Sequence, residues 1–255
     1  FTKFSYFWSH VDGIKKWCSI LVVFENQLKK GENLTEYFNY SPSEFAFGFD
    51  GCRRCYYDKK VNGIELKVPF PGIFSKFDSL QKKFYHGKSS KYLSDSLDDG
   101  EIIGDFNKML KSEIIYDLKD RPFTMSGKID GYIKHKNSFT IVDFKTTKIS
   151  ENKIDAYTTQ LQSYALMLEK PSENSLKLTP INRLGIFCFE PEGISKSNGK
   201  DCNIKMKTQW FEISRNDKNL IGYITKIQDI LYSKSIPESS SKCGICNFRK
   251  DINYA

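Results

Sequence analysis

Apolar and polar positions alternate most clearly in the middle of the chain. Phe123–His135 and Ser138–Thr146 are rich in β-branched and aromatic residues and read as two strands. Lys136-Asn137 between them is a short hairpin turn. That turn sets Asp130 directly across from Asp143, and Lys128 across from Lys145. Side chains alternate faces along a strand, so Asp143 and Lys145 share a face and Asp130 joins them. Ile129, Ile133, Val142 and Phe144 then form the opposite, core-facing side.

The flanking segments read as mixed α and β. Ser41-Pro42-Ser43-Glu44 combines a cap residue, a proline at the first helical position and a glutamate at the third. It predicts a helix ending near Gly51-Cys52. Ile73, Phe77, Leu80 and Phe84 recur at helical spacing and predict an amphipathic helix resting on that stripe. Lys88–Gly100 is rich in Ser and Asp and is expected as a mobile loop, with Ser112–Leu118 as the first strand. A helix over Ile154–Glu169 would bury Leu161, Ala165 and Leu168. Arg183–Phe189 and Lys205–Ile213 read as strands joined by a loop over Glu190–Asn203, and Asn219–Ser233 as a closing helix. Together these predict an α/β fold: a central mixed β-sheet flanked by α-helices. One domain would span residues 39–255, behind an N-terminal extension over 1–38 with a helix at Asp12–Lys30.

Composition sets the class. A chain of 255 residues can bury one substantial core, and 39% hydrophobic with 15% aromatic residues is a globular balance. The net charge of +8 suits a polyanionic partner. Seven cysteines spread over this length do not make a small disulfide scaffold. The apolar run Cys18–Phe24 is too short to cross a bilayer, so no membrane partner is expected. The chain shows no secretory signal, which predicts a cytoplasmic protein. It begins at Phe1, so a segment upstream stays open.

The hairpin carries the chemistry. Carboxylates opposed across a ladder sit about 5 Å apart and repel. A divalent cation removes that penalty, and hard oxygen ligands suit Mg²⁺ or Mn²⁺. Such an ion polarises a phosphate and acidifies an attacking water. Lys145 would position that water or stabilise charge developing on phosphorus. The plain alternative is a solvated hairpin face with unpaired charges. Against it stands the order of three motifs: G-x-x-D (Gly127, Asp130), D-x-K (Asp143, Lys145) and Q-x-x-x-Y (Gln160, Tyr164). Together they point to metal-dependent cleavage of a nucleic-acid backbone.

This block resembles the core of the PD-(D/E)xK nuclease superfamily, in particular its RecB-like branch, over roughly residues 39–255. The resemblance implies a restriction-endonuclease-like core, with Asp130 and Asp143 as metal ligands and Lys145 as the catalytic lysine. Gln160 and Tyr164 would contact DNA or brace the site. A further acid or histidine from an earlier helix is implied. Asp78 is the candidate, with Glu113 and His86 as alternatives and an Asp78–Lys82 surface pair as the ordinary reading. The implied activity is a Mg²⁺-dependent phosphodiesterase acting on DNA, an exonuclease or end-processing enzyme of recombination or repair. No helicase motif is present, so a helicase or recombination subunit would be a separate chain. The rivals are a restriction-like or phage endonuclease using the same site, and a catalytically silent DNA-binding module with a structural metal. The intact Asp130, Asp143 and Lys145 argue against the silent module.

Two C-x-x-C pairs, Cys52/Cys55 and Cys243/Cys246, stand near opposite ends of the chain and can complete a four-sulfur metal site. The alternatives are unrelated reduced thiols or a redox pair. RecB-like nucleases often carry a four-cysteine iron–sulfur cluster, with one cysteine before the motifs and three after. This chain has two and two, which suits Zn²⁺ as well as a [4Fe–4S] cluster. The isolated Cys18, Cys188 and Cys202 are expected as core thiols.

Overall fold

The computed structural model describes residues 37–64, 71–104, 108–150, 154–197, 199–233 and 235–251. The helix expected at Asp12–Lys30, and Cys18 within it, lie outside the described residues. The first half of the chain supplies β1 (Phe38–Tyr40), α1 (Pro42–Phe47), α2 (Arg53–Val61), α3 (Gly72–Tyr85), β2 (Glu101–Ile103), β3 (Leu110–Lys111) and β4 (Ile115–Tyr116). Then come β5 (Pro122–Gly127), β6 (Gly131–Lys134), β7 (Phe139–Thr146), α4 (Thr158–Glu169), β8 (Ile181–Lys196), β9 (Cys202–Ile213), α5 (Asp217–Leu231) and α6 (Gly244–Asp251).

A mixed five-stranded sheet runs in the order β2-β6-β7-β8-β9, and β7–β8 is its parallel pair. Parallel neighbours need a crossover, which α4 supplies. A second, smaller sheet gathers β1, β3 and β4 around β5. Helices flank the sheets, as the sequence predicts for this α/β class. At the start of α1, the Ser41 backbone N–H donates to the Glu44 carboxylate at 3.2 Å, as its capping sequence implies.

The hairpin register is the expected one: Gly131 faces Val142 and Lys134 faces Phe139. The first arm, however, is not one strand. It breaks between Gly127 and Gly131, because β5 is committed to β1, β3 and β4 while β6 pairs with β2 and β7. The break turns Ile129 away from Ile133. Ile129 joins the core on one side of the sheet with Ile141, Ile186, Leu161, Ala165 and Leu168. Ile133 joins Val142, Phe144, Phe187 and Phe189 in a second core on the other side.

Four other expectations change. Lys88–Gly100 is pinned rather than free: Leu93 and Leu97 enter the second core, and a short 3₁₀ turn covers Ser90–Tyr92. Ser112–Leu118 contributes only the short β4, and the chain has already formed β1 to β3. The expected loop Glu190–Asn203 is mostly ladder, since β8 and β9 stay paired out to Lys196–Cys202. Finally, α3 forms as predicted but is rotated: Ile73, Leu80 and Phe84 are 53–58% exposed. Its sheet-facing side carries Gln81, which donates to Thr146 Oγ1 at 2.9 Å, and Tyr85, which stacks on Phe144. A specific hydrogen bond and a ring stack decide the orientation that hydrophobicity alone assigned otherwise.

Candidate functional site

The alternation along β7 builds the site. Val142 and Phe144 anchor the strand in the second core, so Asp143 and Lys145 must point to the face covered by α4. Asp143 is 2% exposed. Lys145 Nζ lies 2.5 Å from its Oδ2 and also stands 5.1 Å over the Tyr157 ring. Among the described residues, that buried Oδ2 has no hydrogen bond of good geometry despite the close ammonium.

Asp130 sits at the strand break, one residue before β6. Its Oδ2 accepts the Phe144 backbone N–H at 2.9 Å, which fixes the carboxylate beside β7. The break therefore serves the site: it frees Asp130 from a ladder position while leaving it against Asp143. Burial, with the Asp130 carboxylate as an added push, raises Asp143 well above the usual carboxylate range. Burial would lower Lys145, but Asp143 and Asp130 outweigh it and raise its pKa, so it stays an ammonium. An acid pair with a buried, under-bonded oxygen beside a cation matches the donor set of a hard divalent ion. Lys145 can supply positive charge but no base.

The helix face beyond the site adds a contact not foreseen from sequence. Lys82 Nζ bridges Asp130 Oδ1 at 2.7 Å and Asp78 Oδ2 at 2.8 Å. The i, i+4 spacing announces the Asp78 contact; nothing local announces the one to Asp130. Asp78 thus reaches the acid pair through a lysine, and its side chain is 44% exposed. It lines a cleft of about 290 Å³ with Phe74, Ser75, Gln81, Phe144, Lys145 and Thr146. The alternatives fall elsewhere: Glu113 is exposed beside β4, and His86 is exposed at the end of α3.

Gln160 and Tyr164 are both buried on α4, and Gln160 Nε2 donates to the Tyr164 hydroxyl at 3.2 Å. Asp143 and Asp130 act electrostatically on Tyr164, after burial itself, to raise its pKa. Both side chains are thus held below the surface of α4, on the side of the acid pair.

The four cysteines converge. Cys52, Cys55, Cys243 and Cys246 offer sulfur atoms all within 4.8 Å of one another. Burial and the neighbouring thiols raise the Cys55 pKa, a crowding that a bound cation relieves. The remaining thiols correct one expectation: Cys188 is buried, but Cys202 is exposed at the start of β9, where the paired arm leaves the core.

Among the described residues, no helix is long and apolar enough to cross a membrane. No curated protein matches the sequence. Among solved structures, the crystal structure of SSO0001 overlays 87% of this chain and 88% of its own at 9% identity, with a TM-score of 0.46. That likeness is too low to support an inference. The sequence model for the PD-(D/E)XK nuclease superfamily matches residues 80–250, which include Asp130, Asp143, Lys145, Gln160 and Tyr164. With that span covering most of the chain, and the mixed sheet flanked by helices to match, the protein belongs to the PD-(D/E)XK nuclease superfamily.

Proposed function

We propose that the protein is a metal-dependent DNA nuclease of the RecB-like branch, working as an exonuclease or end-processing enzyme in recombination or repair. One observation carries the reading: Asp130 and Asp143 are held together at the end of a strand break with Lys145 as their counter-cation. Asp130 and Asp143 would hold Mg²⁺ or Mn²⁺, which when bound polarises the scissile phosphate and acidifies water. Lys145, kept protonated by its acidic neighbours, stabilises charge developing on the phosphate oxygens. Gln160 and Tyr164 hold the floor of the site. Asp78 lines the neighbouring cleft and, freed from Lys82, would offer a further oxygen ligand. The net charge of +8 favours DNA as the partner, and a separate helicase would supply any unwinding. The four-cysteine site is a structural metal centre joining the two ends of the domain. A cytoplasmic location fits this role.

Cleavage of linear and circular duplexes with Mg²⁺ or Mn²⁺ tests the reading. Linear DNA should be degraded from its ends, and Asp143→Asn and Lys145→Ala should each abolish this while the fold persists. Cutting of closed circles would favour the restriction-like or phage endonuclease. Binding without cleavage, unchanged in Asp143→Asn, would leave only a silent DNA-binding module.

A further inference from the structure

We infer that Cys52, Cys55, Cys243 and Cys246 bind one zinc ion and not an iron–sulfur cluster. This rests on reading the quartet as a metal site and goes on to name the metal. The Cys52–Cys246 and Cys55–Cys243 sulfurs are 3.6 Å apart, and the Cys55–Cys246 sulfurs 3.4 Å apart. These separations are far too long for disulfides, whose sulfurs lie about 2.05 Å apart. They suit a single ion: thiolates at about 2.3 Å from zinc form a tetrahedron with edges of about 3.8 Å. The four sulfurs, in contact at 3.4–3.6 Å and all within 4.8 Å, bracket that edge.

A cubane cannot occupy the same quartet. Each of its ligands binds a different iron, so the ligand sulfurs stand on a shell wider than the cluster and do not touch. A two-iron cluster would divide the sulfurs into two separated couples. Here Cys55 touches both Cys243 and Cys246, and Cys246 touches Cys52, so one chain of contacts links all four. A single Fe²⁺ fits the tetrahedron too, but zinc binds such a site more tightly.

The chain around the sulfurs suits a closed, four-coordinate site. Cys52 caps the start of α2 and Cys55 lies in its first turn. Cys243 precedes α6 and Cys246 lies in its first turn. Each pair therefore sits at the positive end of a helix, which favours thiolate. Backbone hydrogen bonds from Cys55 and Ser240 reach Cys52 and orient it, as outer-shell donors do around metal ligands. Beside the quartet, Arg249 of α6 pairs with Asp58 of α2 at 2.8 Å, so ion and ion pair together fasten the C-terminal helix to the start of the domain.

The test is metal analysis of the purified chain, expressed with both zinc and iron supplied and handled without oxygen. The expected result is one zinc per chain, a colourless protein, and the absorption of a tetrahedral all-thiolate site after cobalt exchange. Asp143→Asn should keep the zinc, and Cys246→Ser should bind it at least a hundredfold more weakly. A brown protein with iron and inorganic sulfide, or with one iron and no zinc, overturns the zinc assignment but keeps a metal at the cysteines. Loss of the zinc in Asp143→Asn moves the ion to the carboxylates and overturns it as well. Folded, metal-free protein with four freely reacting thiols refutes the metal site altogether.

Discussion

Lys82→Met should tighten divalent-metal binding at the carboxylates. The amine shares Asp130 Oδ1 at 2.7 Å, and an ion ligated by that oxygen would sit about 2.1 Å from it. Ammonium and ion would then stand about 4 Å apart. Two unit charges at that distance repel by about 4 kcal/mol at an effective dielectric of 20, and a divalent ion doubles this to about 8 kcal/mol. Much of that is lost, because the Lys82 side chain is 19% exposed and can swing toward solvent. A residual of about 1.4 to 2.8 kcal/mol is expected, a ten- to hundredfold gain in affinity. Methionine keeps the unbranched apolar stem and drops only the terminal ammonium, so packing changes little. The assay is Mn²⁺ titration followed by electron paramagnetic resonance, without nucleic acid, with Asp143→Asn as the blank. Melting should move in opposite directions: lower for the metal-free variant, whose Asp78 and Asp130 lose their shared partner, and a larger rise on adding Mn²⁺. An unchanged or weaker Mn²⁺ affinity would refute the placement of the ion at Asp130.

Two further predictions concern the fold. A methyl group on Gly185 would meet the Trp210 ring at 2.0–2.7 Å, so Gly185→Ala must displace the indole and its 3.2 Å hydrogen bond to Glu212. Gly185 pairs with Val142, next to Asp143. The cost should be about 2–4 kcal/mol in urea unfolding, and Trp210→Leu in the same chain should recover much of it; a change below about 0.5 kcal/mol would contradict the contact. The second is acid stability. Burial would raise Asp117, but the Arg121 guanidinium and two backbone N–H groups outweigh it and hold the pKa below the usual range. Its stabilisation is therefore complete above about pH 4, the unfolded carboxylate value, and is lost as pH falls toward the folded value. Asp117→Asn should cost about 1.5–3 kcal/mol at neutral pH, because Arg121 keeps Asp229 and the Thr225 carbonyl as partners, and should flatten the decline of stability in acid; an unchanged acid limb in urea titrations would refute the assignment.

The sequence by itself determined what local chemistry determines. The turn at Lys136-Asn137 set the pairing of β6 with β7, and strand alternation then placed Asp143 and Lys145 on one face. The apolar stripe of α4 and the capped start of α1 were legible for the same reason: each depends on neighbours within a turn or two. The two C-x-x-C pairs announced a four-sulfur site because their spacing is itself a ligand geometry.

Contacts between distant segments lay beyond that reach. Alternation continues through residues 128–130 without any sign that β5 belongs to a second sheet, so the strand break and the exit of Ile129 from its expected face appear only when β1 and β3 pair. The orientation of α3 was decided by Thr146 and Phe144, some sixty residues away, and they turned Gln81 and Tyr85 inward against the apparent hydrophobic stripe. That rotation also brings Lys82 to Asp130. Local pattern names the groups that can do chemistry, because residue type and spacing are written along the chain. Their distances, burial and charge balance depend on which remote surfaces pack together, and tertiary structure alone decides that.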